Sequence, residues 1–145
     1  MYLIDDGNRD LAKIRVLLAD DHEDMLEIIS RLLEPEFEIV GTATNGKALI
    51  TAAKETGPNV VVADISMPII NGIEAAKILR ASDPEMQIVF LTIHDTSDYV
   101  QAALATGALG YVVKARLASD LSIAIKSAHA GRPYLSPSIS SPPGN

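Results

Sequence analysis

From about residue 14 onward, short apolar runs alternate with longer stretches of helical period. That is the pattern of repeated βα units on a mostly parallel sheet, and five units can be placed. Ile14 to Ala19 is the first predicted strand. In the segment after it, Met25, Ile28, Ile29 and Leu32 fall at i, i+3, i+4 and i+7, an apolar stripe expected to face the sheet until Pro35 stops the helix. Phe37 to Thr42 is the second strand. Asn45-Gly46 opens a second helix running to about Thr56, and Gly57-Pro58 stops it before the third strand, Val60 to Asp64. Asn71-Gly72 marks the turn into a third helix, which Asp83-Pro84 breaks ahead of the fourth strand, Gln87 to Ile93. Thr96 or Ser97 can cap a fourth helix ending near Gly107, and Gly110 to Val113 is a short fifth strand. The last helix carries its stripe at Leu121, Ala124, Ile125 and Ala128, and ends at Gly131 and Pro133.

A chain of 145 residues, 48% of them hydrophobic, suits one domain with a full core rather than two small ones. The expected layout is an N-terminal tail over 1–12, a domain over 13–131 and a flexible linker or tail over 132–145. Ser136 to Asn145 holds three Pro, four Ser and one Gly, too little apolar surface to fold alone. Leu3-Ile4-Asp5-Asp6 imitates the end of the first strand, but its apolar run is too short for a buried strand. The absence of cysteine excludes disulfides, thiolate zinc sites and redox pairs. No apolar stretch approaches the ~20 residues that cross a bilayer, and Asp5, Asp6 and Asp10 stand where a secretory signal would be basic. A soluble, cytoplasmic protein is the expectation. Net charge is -7, with 11 of the 19 acidic residues before residue 41, and the 12 Lys and Arg are scattered singly. A phosphate-backbone footprint needs clustered cations, so direct contact with nucleic acid is not expected.

The chemistry lies at the strand ends. Asp20-Asp21 closes the first apolar run and Asp64 closes the third. Any one Asp there could simply cap a helix or brace a turn. As a set, however, they end the two strands that flank the reversal point of a doubly wound sheet of order 2-1-3-4-5, where such sheets bind ligands. Gathered carboxylates bind a hard cation, and a carboxylate beside a divalent cation can attack phosphorus, which points to an acyl phosphate on aspartate. Thr92 ends strand four and Lys114 ends strand five, adding a hydroxyl donor and a compact positive charge to the same rim. Phosphoryl transfer needs chiefly such donors and cations, held where negative charge develops.

Asp20-Asp21, Asp64 with Ser66-Met67-Pro68 and Asn71-Gly72, Thr92, and Tyr111-Val112-Val113-Lys114 together resemble the receiver domain of two-component response regulators, over roughly residues 13 to 131. Leu91 to Asp95, Gly107 to Tyr111, and Gly131 followed by Tyr134-Leu135-Ser136-Pro137 resemble more narrowly the receivers that precede a helix-turn-helix DNA-binding domain. No such output domain is expected within these 145 residues. The resemblance implies an α/β, flavodoxin-like, doubly wound five-stranded parallel sheet with five helices. It makes Asp64 the phosphoacceptor, fed by a sensor histidine kinase or a small phosphodonor. It further implies Mg²⁺ held directly by Asp21 and Asp64, with Asp20 acting largely through water and the Ser66 carbonyl as another ligand. Thr92 and Lys114 would act on the phosphoryl group, and Thr92 and Tyr111 would form the conformational switch. A homodimer is a further implied partner, and DNA would be reached only through an output domain.

Many members of that family place a proline after the lysine, with a cis peptide that aims the ammonium; here Ala115 follows Lys114. His22 and His94 read as solvated loop residues near the rim, although His94 could shield an acyl phosphate from water. Rival classes fit less well. An aspartate-nucleophile phosphatase normally has a second acid two residues after the nucleophile, where this chain has Ser66. A flavin binder would offer Ser, Thr and Gly amides to phosphate in the first βα loop, whereas Asp20 to Asp24 would repel it. A phosphorylation-independent binding module has no need of the full reactive set.

Overall fold

The computed structural model describes residues 13–137. Strands β1 (Arg15–Ala19), β2 (Glu38–Ala43), β3 (Val60–Ala63), β4 (Gln87–Thr92) and β5 (Gly110–Val113) alternate with helices α1 (Glu23–Leu33), α2 (Gly46–Thr56), α3 (Gly72–Ser82), α4 (Ser97–Leu104) and α5 (Leu117–His129). A 3₁₀ turn over Lys114–Arg116 precedes α5, and a two-residue strand β6 (Tyr134–Leu135) follows it. The sheet order is β2-β1-β3-β4-β5-β6, with every pairing parallel.

Continuous Val/Leu/Ile runs are buried here because helices cover both faces of the sheet. Alternation along each strand divides the core in two. Leu17, Val61, Ile88, Phe90 and Tyr111 face Leu49 and Ala53 of α2, Ala75, Ala76 and Leu79 of α3, and Ala103 of α4. Val16, Leu18, Val60, Val62, Val89, Leu91 and Val112 face Leu26, Ile29 and Leu33 of α1 and Leu121, Ala124, Ile125 and Ala128 of α5. The predicted α5 stripe is thus the buried one.

The α1 stripe is corrected by the structure. Ile29 is buried and Met25 packs partly against the core, but Ile28 is 54% exposed and Leu32 39% exposed. The core face is Leu26, Ile29 and Leu33, turned about one residue from the expected stripe. Ile28-Ile29 and Leu32-Leu33 are adjacent apolar pairs, so periodicity alone left the choice of face open. The predicted caps Asn45 and Asn71 hold, their side chains accepting from the amides of Ala48 and Glu74. Thr96 occupies the α4 cap position without a side-chain bond, and α4 stops at Leu104, short of Gly107. The second strand lies one residue later than expected, with Phe37 buried just ahead of it.

The domain also runs past the expected boundary at 131. β6 pairs with β5 through Gly110↔Tyr134 and Tyr111↔Leu135, and Ser136 is fully buried. The sheet therefore has six strands, and 132–137 is not a loose linker. The Leu3-Ile4-Asp5-Asp6 segment and the tail beyond 137 lie outside the described residues.

The two faces of α1 make contrasting variants. Ile29→Ala should cost roughly 2–4 kcal/mol through the cavity it leaves, and Ile28→Ala less than about 1 kcal/mol. Urea midpoints of the two variants check this, and equal losses would contradict the assigned face.

Candidate functional site

Register carries the reactive residues to one rim. Ala19 pairs with Ala63 and Thr92 with Val113, so Asp20, Asp64 and Lys114 each leave the sheet one residue beyond the last paired position, at its carboxyl end. The Asp20 and Asp64 amides add a final rung, donating to Ala43 O and Ala19 O at 3.0 Å each. Backbone geometry, not side-chain flexibility, sets where these carboxylates emerge.

The Lys114 ammonium joins them. Its Nζ lies 2.6 Å from Asp20 Oδ2 and 2.9 Å from Asp64 Oδ2. Asp20 is 1% exposed and Asp64 5%. The Asp64 contact is a directed hydrogen bond, whereas the approach to Asp20 Oδ2 is too oblique to count as one and acts as a close ion pair. Desolvation pulls the Lys114 pKa down, but the close contacts and negative charges of Asp20 and Asp64 outweigh it and hold the ammonium above its ordinary range. The Lys114–Ala115 peptide is trans, as no cis peptide occurs among the described residues, and the ammonium still reaches both acids.

Asp21 is the outermost of the three acids. Its Oδ1 lies 3.1 Å from His22 Nδ1, and that nitrogen lies 3.2 Å from Asp20 Oδ1, which also accepts the His22 amide at 2.9 Å. One ligand atom from each of Asp20, Asp21 and His22 fits within 4.8 Å. Asp64 connects to this group through Lys114 and Asp20. Asp20 and Asp64 are thus joined through one ammonium, with Asp21 at the outer end of the group beside His22. An all-oxygen set of carboxylates matches a hard divalent cation, and imidazole does not belong to that set.

The loop after β3 is folded tightly beneath Asp64. Ser66 donates its amide to Asp64 Oδ1 at 3.3 Å, and Gly72 donates its amide to Ile65 O at 2.7 Å. A Cβ on Gly72 would stand 2.1 Å from the Asp64 carbonyl oxygen, so only glycine lets α3 begin there. Ile69 adopts a positive φ of 72°, a strained conformation for a β-branched residue.

Across the rim, Thr92 is fully buried and its Oγ1 accepts the His94 amide at 3.3 Å. Tyr111 is also buried, and its hydroxyl donates to His94 O at 2.8 Å. Burial first, then the charges of Asp95 and Asp64, pushes this phenol above its ordinary range, so it stays a donor. His94 is a half-buried loop residue whose ring has partners. Its ring stacks on Tyr99, with centroids 3.9 Å apart, and its Nε2 lies 2.8 Å from Ser66 Oγ, tying the β4–α4 loop to the β3–α3 loop. His22 is exposed, as expected.

Sequence reasoning missed Asp120, which is 2% exposed beside Arg116 and Ser136. A signal was present: an acid one turn after an arginine, next to the buried stripe that begins at Leu121.

The response regulator receiver domain family matches residues 16–126. Among curated proteins, the transcriptional regulatory protein DegU of Brevibacillus brevis is 36% identical over 129 residues, 88% of this chain and 55% of its own length. The response regulator GacA of Pseudomonas viridiflava is 35% identical over 87% of this chain and 60% of its own length. The chain thus spans under two thirds of these relatives. Among solved structures, a LuxR-family two-component response regulator from an Aurantimonas species has a TM-score of 0.85 and 34% identity, covering 89% of this chain and 94% of that one. The isolated REC domain of RcsB from Salmonella enterica serovar Typhimurium has a TM-score of 0.81 and 28% identity, covering 88% of this chain and 96% of that one.

Gly72→Ala should displace the Asp64 backbone and lower stability by roughly 3 kcal/mol, because the added methyl meets backbone rather than a movable side chain. An unchanged urea midpoint would show that α3 starts with more slack than its geometry allows.

Proposed function

The chain belongs to the response regulator receiver domain family, and from that membership we propose that Asp64 accepts a phosphoryl group and that Thr92 and Tyr111 convert it into a change of shape. The observation that carries this reading is the single ammonium of Lys114 shared by Asp64 and Asp20 at the carboxyl end of the sheet.

A carboxylate oxygen of Asp64 forms the new bond to phosphorus while the bond from phosphorus to the donor breaks, and the leaving group departs with that electron pair. The proposed donor is a phosphohistidine of a sensor histidine kinase, or a small acyl phosphate. Lys114 stands beside Asp64 Oδ2, placed to pair with a phosphoryl oxygen as charge builds there. The buried Thr92 hydroxyl accepts from His94 and keeps its own proton to donate to a second oxygen. Asp20, Asp21 and Asp64, with the Ser66 carbonyl, would hold Mg²⁺. When bound, the ion neutralises carboxylates that otherwise repel one another and draws charge from the phosphoryl oxygens.

The switch follows from what Thr92 already holds. Its hydroxyl and the Tyr111 hydroxyl grip the amide and carbonyl of the same residue, His94. A phosphoryl group that recruits Thr92 loosens one grip and changes the balance at the other, the differential contact that a population shift requires. The chemistry then ends with the chain's own phosphorylation and dephosphorylation, because Ser66 offers no acid for turnover on phosphate esters. The names of the relatives support transcription regulation as the outcome, through a DNA-binding output domain, and a homodimer is the further partner in this reading.

Intact mass after treatment with acetyl phosphate and Mg²⁺ should show one added phosphoryl group, lost in Asp64→Ala and on chelation. Undiminished labelling of Asp64→Ala would overturn the assignment of the nucleophile.

A further inference from the structure

Ser136 is fully buried although it lies beyond the last helix. Its amide donates to Tyr111 O at 2.9 Å. Its hydroxyl accepts from the Val113 amide at 3.2 Å and donates to Asp120 Oδ2 at 2.9 Å. β6 pairs only two residues with β5, so this hydroxyl supplies the next rung that a longer strand would have made with its backbone. Asp120, in the first turn of α5, also accepts Arg116 Nε at 2.8 Å, Arg116 Nη2 at 3.2 Å and Ser119 Oγ at 2.9 Å. Burial alone would raise this acid, but Arg116 and the two hydroxyls hold it below the usual carboxylate range, so it remains charged. The bonds run Val113–Ser136–Asp120–Arg116 and bracket Lys114 and Ala115 from both sides.

We propose that Ser136 and Asp120 are positioning residues for Lys114, Ser136 holding the Val113 amide on one side of it and Asp120 the Arg116 guanidinium on the other, so that its ammonium meets Asp64 and Asp20. The proposal rests on the reading of Asp64 and Lys114 given above. A lysine side chain has many rotamers, so the reach of its ammonium depends on where its Cα is held. Here a hydroxyl of the departing chain holds the Val113 amide before it and a carboxylate of α5 holds the Arg116 side chain after it, across an ordinary trans peptide. Ser136 lies where the chain runs on past the sheet, so a pull on the following residues acts on Lys114. Linkage requires the converse: whatever grips Lys114 tightens Ser136.

The test uses the full chain, with phosphorylation by acetyl phosphate at saturating Mg²⁺ followed by intact mass and the Mg²⁺ Kd measured by calorimetry. Ser136→Ala and Asp120→Asn should each phosphorylate about tenfold more slowly, with the Mg²⁺ Kd within about twofold of wild type, as expected when a reacting group is displaced. Ser136→Thr, which keeps the hydroxyl, should recover the rate to within about threefold. A purely structural role predicts that rate and Mg²⁺ affinity decline together with no recovery in Ser136→Thr, and that outcome overturns the proposal. Should the variants not fold, amide exchange of Val113 and Ser136 in the wild-type chain decides. It should slow when beryllium trifluoride, a phosphoryl mimic, is added with Mg²⁺, and equal exchange overturns the coupling. Wild-type chain that gains no phosphoryl group removes the Asp64 reading and this proposal with it, whereas labelled wild type matched in rate by Ser136→Ala removes the proposal alone.

Discussion

One ammonium shared between two buried carboxylates is the constraint on which the rest of the structure depends. Asp20 and Asp64 leave neighbouring strands side by side, where they would repel each other in a poorly solvated hollow. Lys114, arriving from β5, supplies the opposing charge to both. That requires β1, β3 and β5 to end at matching depths, and the parallel register does so without help from loops. The site is thus set by the register of the sheet.

The loops have a different part. Gly72 admits α3 so close beneath Asp64 that its backbone cannot move independently, and Ile69 carries strain in the same loop. His94 links that loop to the β4–α4 loop through Ser66, while Thr92 and Tyr111 hold its backbone from either side. A group arriving at Asp64 therefore meets residues already connected to one another. On the far side of Lys114, Ser136 and Asp120 extend the same connection to the last strand.

The strands, most caps and the residues at the rim could be read from the chain because each rests on local chemistry: apolar runs, Asn before a helix, Asp at a strand end. The face of α1 could not, since Ile28-Ile29 and Leu32-Leu33 satisfy two phases of the same period and only packing against β1 and β2 decides between them. β6 escaped for a related reason. Two residues give no alternation, and the Ser and Pro around them carry the composition of a linker, yet the pairing with Gly110 and Tyr111 and one buried hydroxyl order them. Which of Asp20 and Asp21 is the more buried depended on side-chain direction at adjacent positions, which sequence does not specify: Asp20 is buried and Asp21 exposed.

A double-mutant cycle tests the shared ammonium most directly. Lys114→Met, Asp64→Asn and the double variant would be unfolded in urea with chelator present. A coupling energy of about 2 kcal/mol is expected for charges in direct contact at a buried site, and additivity within about 0.3 kcal/mol would contradict it.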